Sequence, residues 1–200
     1  MRENLIYIIS GPSGVGKTTL LKKLFLKKEI KDKFLLGISF TTRKKRDGEE
    51  EGKDYFFVTK EKFKELENKG FFLETQEVLG DYYGTPNYFL ERAEKEGKHL
   101  ILCIDVKGGM YLKKQFRRGK IITIFISVPD KEELCRRLQK RVEKVENIEK
   151  RINLAEEELK FLKYYDYLII NQDLSQALKK LETILKSVAQ GEHLNRGVFY

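Results

Sequence analysis

The sequence predicts an α/β fold of three layers, in which a mostly parallel central sheet is covered by helices on both faces. Two observations predict it: short apolar runs alternate with helix-period segments, and a glycine-rich loop joins the first such run to the first helix. Alternation of this kind requires crossover connections, which bring strands side by side in parallel.

Taken in order, strands are expected at Leu5–Ile9, Phe34–Ile38, His99–Ile104, Ile121–Val128 and Tyr167–Ile170, each a near-continuous apolar run of strand length. Helices are expected at Lys17–Phe25, Gly109–Phe116, Asp130–Arg141, Ile148–Lys163 and Leu174–Val188. Two starts carry capping signals, Asp130 with Glu133 and Asp173 with Gln176. Between Ser39 and Glu96 the rhythm breaks. A charged loop, the strand-like Tyr55–Val58, a helix at Lys60–Asn68 and an extended run at Phe71–Val78 predict a small α+β insertion. The charged stretch from Gln139 to Lys150 predicts a mobile lid between two helices.

A chain of 200 residues, 40% hydrophobic and 36% charged, can bury one α/β core with insertions but not two large independent domains. The net charge of +9 suits polyanionic ligands, nucleotides and nucleic acid alike, although lysines on solvated helix faces account for much of it. Cys103 and Cys135 are the only cysteines, which argues against a disulfide framework. The short polar lead before the first strand contains no signal peptide, and no apolar run reaches membrane-spanning length, so a cytoplasmic protein without membrane partners is expected.

The loop Gly11-Pro12-Ser13-Gly14-Val15-Gly16-Lys17-Thr18 fits G-x-x-x-x-G-K-[ST] between a buried strand and an amphipathic helix. Glycines let backbone N–H groups wrap a phosphate, and the helix N-terminus adds partial positive charge. Lys17 would bridge β- and γ-phosphates, and the Thr18 hydroxyl would ligate Mg²⁺. The loop predicts a fold of the P-loop NTPase type. By itself it does not separate kinases from GTPases, ATPases or helicases.

Four motifs follow one another: Gly11–Thr18, then S-F-T-T-R-K-K-R-D-G-E-E-E-G-K-D-Y at Ser39–Tyr55, then Phe72-Leu73-Glu74, then Tyr82-Tyr83-Gly84-Thr85. In this order and spacing the chain resembles the guanylate kinases, which move the γ-phosphate of ATP to GMP, and the resemblance runs on through Ile170-Asn171-Gln172-Asp173. It implies a GMP site of Ser39, Arg43, Arg46, Tyr55, Glu74, Tyr83, Thr85 and Asp105. The chemistry agrees. Arg43 and Arg46 can fork onto one phosphate, with Tyr55 and Tyr83 as neutral donors. Glu74 can accept the adjacent N1–H and N2–H₂ donors of guanine, Ser39 and Thr85 can donate to O6, and Asp105 can support the amino side. Adenine would oppose a lone pair to Glu74, a mismatch costing roughly 1–3 kcal/mol per buried group.

The resemblance further implies an ATP site of Gly11, Pro12, Ser13, Gly14, Val15, Gly16, Lys17, Thr18 and Thr19 with Arg137, Arg141 and Asn171. Lys17, Arg43, Arg137 and Arg151 are the implied catalytic set, Mg²⁺ the cofactor, and ATP with GMP or dGMP the partners, without nucleic acid. Arg137, Arg141 and Arg151 match lid arginines, which on closure would lie over the transferring group and exclude water. The expected division is core at 1–38, GMP-binding insertion at 39–96, core at 97–130, lid at 131–151, and core with tail at 152–200.

Two departures stand out. The family usually has an acidic residue two positions before the aspartate that Asp105 matches, whereas Cys103 stands here. The lid is one residue shorter between Arg141 and Arg151, with Val142 at a position that is commonly Gly. Three rival readings remain at this point: a non-catalytic phosphopeptide-binding module of the same family, a related kinase of a phosphorylated sugar, and a nucleic-acid-binding ATPase.

Overall fold

A computed structural model describes residues 4–116, 119–140, 145–192 and 197–199. Its larger sheet consists of β1 (Ile6–Ser10), β2 (Phe34–Gly37), β7 (His99–Cys103), β8 (Ile121–Ser127), β9 (Tyr167–Ile170) and β10 (Gly197–Phe199). They are hydrogen-bonded in the order β10-β9-β8-β1-β7-β2, and every pairing is parallel. β1 is central and wholly buried, so its residues alternate between two cores. Tyr7 and Ile9 pack with Leu20 and Leu24 of α1 (Lys17–Leu24) and with Leu181 and Ile184 of α8 (Leu174–Ala189). Ile6 and Ile8 pack with Phe89 and Ala93 of α4 (Tyr88–Lys95) and Leu112 of α5 (Val106–Gln115). Each of these buried Ile, Leu and Phe side chains contributes about 1.5–3 kcal/mol by leaving water.

A second sheet of four strands has the order β4-β3-β6-β5, formed by β3 (Phe40–Thr41), β4 (Phe56–Phe57), β5 (Phe72–Val78) and β6 (Asp81–Pro86). β5 and β6 form an antiparallel hairpin closed by Leu79-Gly80, both at positive φ (52° and 84°) as a two-residue type I′ turn demands. Aromatic rings hold this sheet to α3 (Lys60–Asn68), where Phe63 stacks on Phe72 at 4.6 Å and on Tyr82 at 5.6 Å, and within the sheet Phe40 lies 4.7 Å from Phe56. Gly84 is required here, since a Cβ would stand 2.9 Å from the Phe72 ring.

Several bounds differ from the sequence expectations. α5 starts at Val106 rather than Gly109, because the Asp105 carboxylate caps it by accepting from the Gly108 and Lys107 N–H groups. The long helix α7 spans Val145–Leu159 rather than Ile148–Lys163, and a 3₁₀ turn follows at Leu162–Tyr164. α6 (Lys131–Gln139) has the expected Asp130 cap. The elements α2 (Lys28–Lys33), β3, β6, α4 and β10 were not expected. Arg141 and Val142 lie outside the described residues.

Candidate active site

A cavity of about 390 Å³ opens between the two sheets. Its donor side is the loop after β1. Gly11 (φ 140°) has no room for a side chain, since a Cβ would fall 2.0 Å from the Ile126 carbonyl oxygen, and Gly16 (φ 96°) caps α1 in a left-handed conformation. Gly11, Ser13, Gly14, Gly16, Lys17, Thr18 and Thr19 line the cavity. The Lys17 ammonium donates to the carbonyls of Gly11 and, at 2.9 Å, Pro12. Arg151 reaches in from α7 and donates to Ser13 Oγ at 3.1 Å.

Pro12, Val15, Arg137 and Asn171 stand outside the lining. Val15 is fully buried, and its carbonyl accepts from Asn171 Nδ2 at 2.7 Å. Arg137 joins the same support: Nη2 donates to the Asn171 carbonyl at 2.8 Å, while Nε is held by Glu133 at 2.6 Å. In the described structure these two residues brace the phosphate loop from behind.

On the acceptor side, Ser39, Arg43, Arg46, Tyr55, Glu74, Tyr83 and Asp105 all face the cavity. Arg43 donates to Glu49 Oε1 at 2.7 Å with its guanidinium 5.5 Å from the Tyr55 ring centre, and the Arg46 N–H donates to Glu49 Oε2 at 2.9 Å. Burial alone would raise the Glu49 carboxyl, but Arg43 and Arg46 outweigh it and hold it below the usual carboxylate range. One carboxylate thus holds the Arg43 guanidinium and the Arg46 backbone.

Glu74 is 5% exposed and accepts from the Thr85 hydroxyl at 2.7 Å. Thr85 is fully buried behind the cavity wall, and its oxygen lies 3.1 Å from Ser39 Oγ. With the Thr85 proton directed to Glu74, Ser39 is the donor in that pair. Burial pushes the Glu74 carboxyl up to about 7; the Thr85 hydroxyl opposes this and the nearby Asp105 charge adds to it. Burial also raises Asp105, against the N–H groups of Gly108 and Lys107.

Several residues of the site were not singled out from sequence, Glu49, Asp54, Gly108 and Glu158 among them. Glu49 and Asp54 stand inside the Ser39–Tyr55 motif, where their fixed spacing was a usable signal. Asp54, its side chain 2% exposed, pairs with Lys22 of α1 at 2.7 Å and ties the acceptor loop to the donor helix. Gly108 leaves no space beneath Glu74. Glu158 lines the cavity from α7.

Among the described residues no three His, Cys, Asp or Glu side chains cluster as a metal cage, and no helix is long and apolar enough to cross a membrane.

The family model described as Guanylate kinase matches residues 3–188. A guanylate kinase of Caldanaerobacter subterraneus subsp. tengcongensis is 42% identical over 186 residues, covering 92% of this chain and 87% of that protein. One of Bacillus cereus is 39% identical over 196 residues, covering 98% and 92%. The crystal structure of guanylate kinase from Anaplasma phagocytophilum superposes with a TM-score of 0.76 at 33% identity, covering 96% of this chain and 89% of that one. With its phosphate loop and its acceptor motifs opening onto one cavity, the chain belongs to the guanylate kinase family.

Proposed function

We propose that this chain transfers the γ-phosphate of ATP to GMP, and to dGMP, giving ADP and GDP or dGDP. One observation carries the reading: the buried Ser39-Thr85-Glu74 hydrogen-bond chain presents a carboxylate to the cavity that Lys17 enters from the phosphate loop. Segment 39–96 is read as the GMP-binding unit and 131–151 as the lid, in a cytoplasmic enzyme that draws on the free nucleotide pool.

The GMP phosphate sits between Arg43 and Arg46, with Tyr55 and Tyr83 as neutral donors, and guanine places N1–H and N2–H₂ on Glu74. A GMP phosphate oxygen, already anionic, forms the new bond to the γ-phosphorus. The bond from that phosphorus to the β,γ-bridging oxygen breaks, and ADP leaves with the electron pair. No side chain needs to accept a proton. Lys17 and Arg151 balance the charge on the equatorial oxygens, and the closed lid keeps water from competing.

The residues present fit Mg²⁺: Thr18 offers a hydroxyl at the cavity edge, and Asp105 offers a hard oxygen donor. When bound, the ion neutralises phosphate charge. The Cys103 thiol is not a substitute ligand for so hard a cation.

The test is ADP release with ATP and Mg²⁺ across GMP, dGMP, AMP, UMP and sugar phosphates. GMP and dGMP are expected to be preferred at least tenfold, and a rate with AMP equal to that with GMP overturns the reading. Lys17→Ala is expected to abolish turnover and leave GMP binding intact, which separates catalysis from a phosphopeptide-binding role.

A further inference from the structure

α7 presents Arg151, Leu154 and Glu158 to the cavity, spaced three and four residues apart on one helix face. Arg151 has a place in the reaction, and Leu154 is an apolar wall. Glu158 has no part in the scheme above. Among the described residues no side-chain hydrogen bond holds its carboxylate, yet the charges of Lys17, Asp105 and Lys107 all act on it. Burial pushes it up to about 7, with Lys17 opposing and Asp105 reinforcing.

The same part of the cavity has a deficit. Cys103 lines it at the end of β7, two residues before Asp105, and the Lys17 charge reaches the thiol. A carboxylate at position 103 would face Lys17 and the phosphates. A buried thiol, which burial here pushes further from ionising, offers them neither charge nor a hard oxygen. Glu158 lines the same cavity from α7 and brings both, and the Lys17 charge acts on it as it does on the thiol.

We propose that Glu158 is a positioning residue for phosphoryl transfer, supplying the carboxylate that position 103 lacks and orienting the hydrated magnesium–ATP phosphates beside Lys17. The proposal rests on the reading of the site as a kinase site. It asks nothing of the acceptor, so it can fail alone. Glu158 neither touches the reacting atoms nor moves a proton. Its effect passes through the ion's water shell and through the field at Lys17, and outer-shell carboxylates of this kind commonly change metal affinity or rate by about 10–100-fold.

The test is calorimetric titration of the full chain with a non-hydrolysable ATP analogue, with and without Mg²⁺, so that no turnover is required. Glu158→Gln is expected to lose about tenfold of the Mg²⁺-dependent gain in affinity, to bind the analogue without metal as the parent does, and to keep its GMP affinity. In turnover kcat is expected to fall by a similar factor at unchanged KM for GMP. Adding Cys103→Asp to Glu158→Gln is expected to recover at least half of the metal-dependent gain. Three results overturn the proposal: an unchanged metal-dependent gain in Glu158→Gln, an equal loss of metal-free and GMP binding, or no recovery on adding Cys103→Asp. Failure of GMP to be preferred in the acceptor assay would overturn the substrate assignment and leave this titration readable.

Discussion

A Cβ on Gly108 would stand 2.6 Å from Oε2 of Glu74, closer than side-chain contacts allow, and 2.8 Å from Oδ1 of Asp105. The first turn of α5 thus forms the floor on which the Glu74 carboxylate, proposed to read the base, rests. Gly108→Ala is expected to displace Glu74 and raise KM for GMP by about 10–100-fold, the loss of one or two charge-assisted hydrogen bonds. KM for ATP should change less than twofold, and steady-state kinetics in both substrates check this.

Glu74 makes both stability and binding depend on pH. Its carboxyl lies at about 7 in the folded chain against 4.5 as the reference, so the folded state holds the proton more tightly. The ligand-free protein should therefore lose stability as pH rises from 4.5 through 7. Glu74→Gln should flatten that part of the profile in thermal melts. Guanine needs the ionised form, so GMP binding near pH 6 should release a proton that the Gln variant does not. Calorimetry in buffers of different ionisation enthalpy measures the difference, and the phosphate's own titration cancels between the two proteins.

Leu79 carries backbone strain at the tip of the second sheet. It is a non-glycine residue at φ 52° and is 46% exposed, so little packing compensates. Leu79→Gly and Leu79→Asn are expected to stabilise the protein by about 1 kcal/mol, or about 2–4 °C in Tm. A drop in Tm for both would contradict this.

Glu182 on α8 accepts Lys27 at 2.5 Å and Lys186 at 2.7 Å, and Lys186 also reaches Glu29 of α2 at 2.8 Å. The hydrogen bonds from Lys186 and Lys27 hold the Glu182 carboxyl down at about 2. Its stabilisation is complete above the reference value of 4.5 and fades as pH falls toward 2. The lysines are partly exposed, so Glu182→Gln should cost only about 1 kcal/mol at neutral pH, and less in high salt. Denaturant melts at two salt concentrations test it.

The core strands were legible because burial on both faces leaves only apolar residues, as in Ile6–Ile9 and Ile121–Ile126. The phosphate loop was legible because its glycines and lysine have fixed places. β6 was not, since Tyr82-Tyr83-Gly84-Thr85-Pro86 reads as a turn, and pairing with β5 and stacking on Phe63 make it a strand. In α2 only Ile30 is buried, which leaves no periodicity to detect, and β10 exists through its pairing with β9. The acceptor residues came from motif order. Gly108 and Glu158 belong to the site through packing between elements distant in sequence, which no local pattern encodes. Asn171 and Arg137 are expected to contact nucleotide, and packing adds what the motif did not encode: both also bond to the carbonyl of Val15 in the glycine loop.

The bond from Asn171 to the Val15 carbonyl spans 156 positions of the chain. During synthesis the first strand, its glycine loop and the acceptor sheet all leave the ribosome while the residue that fixes the loop's shape is still unmade. The acceptor half can therefore take form early, but the donor half matures only once β9 has emerged. A nascent chain halted before that point would carry the second sheet and the glycine loop without the bond that holds the Val15 carbonyl.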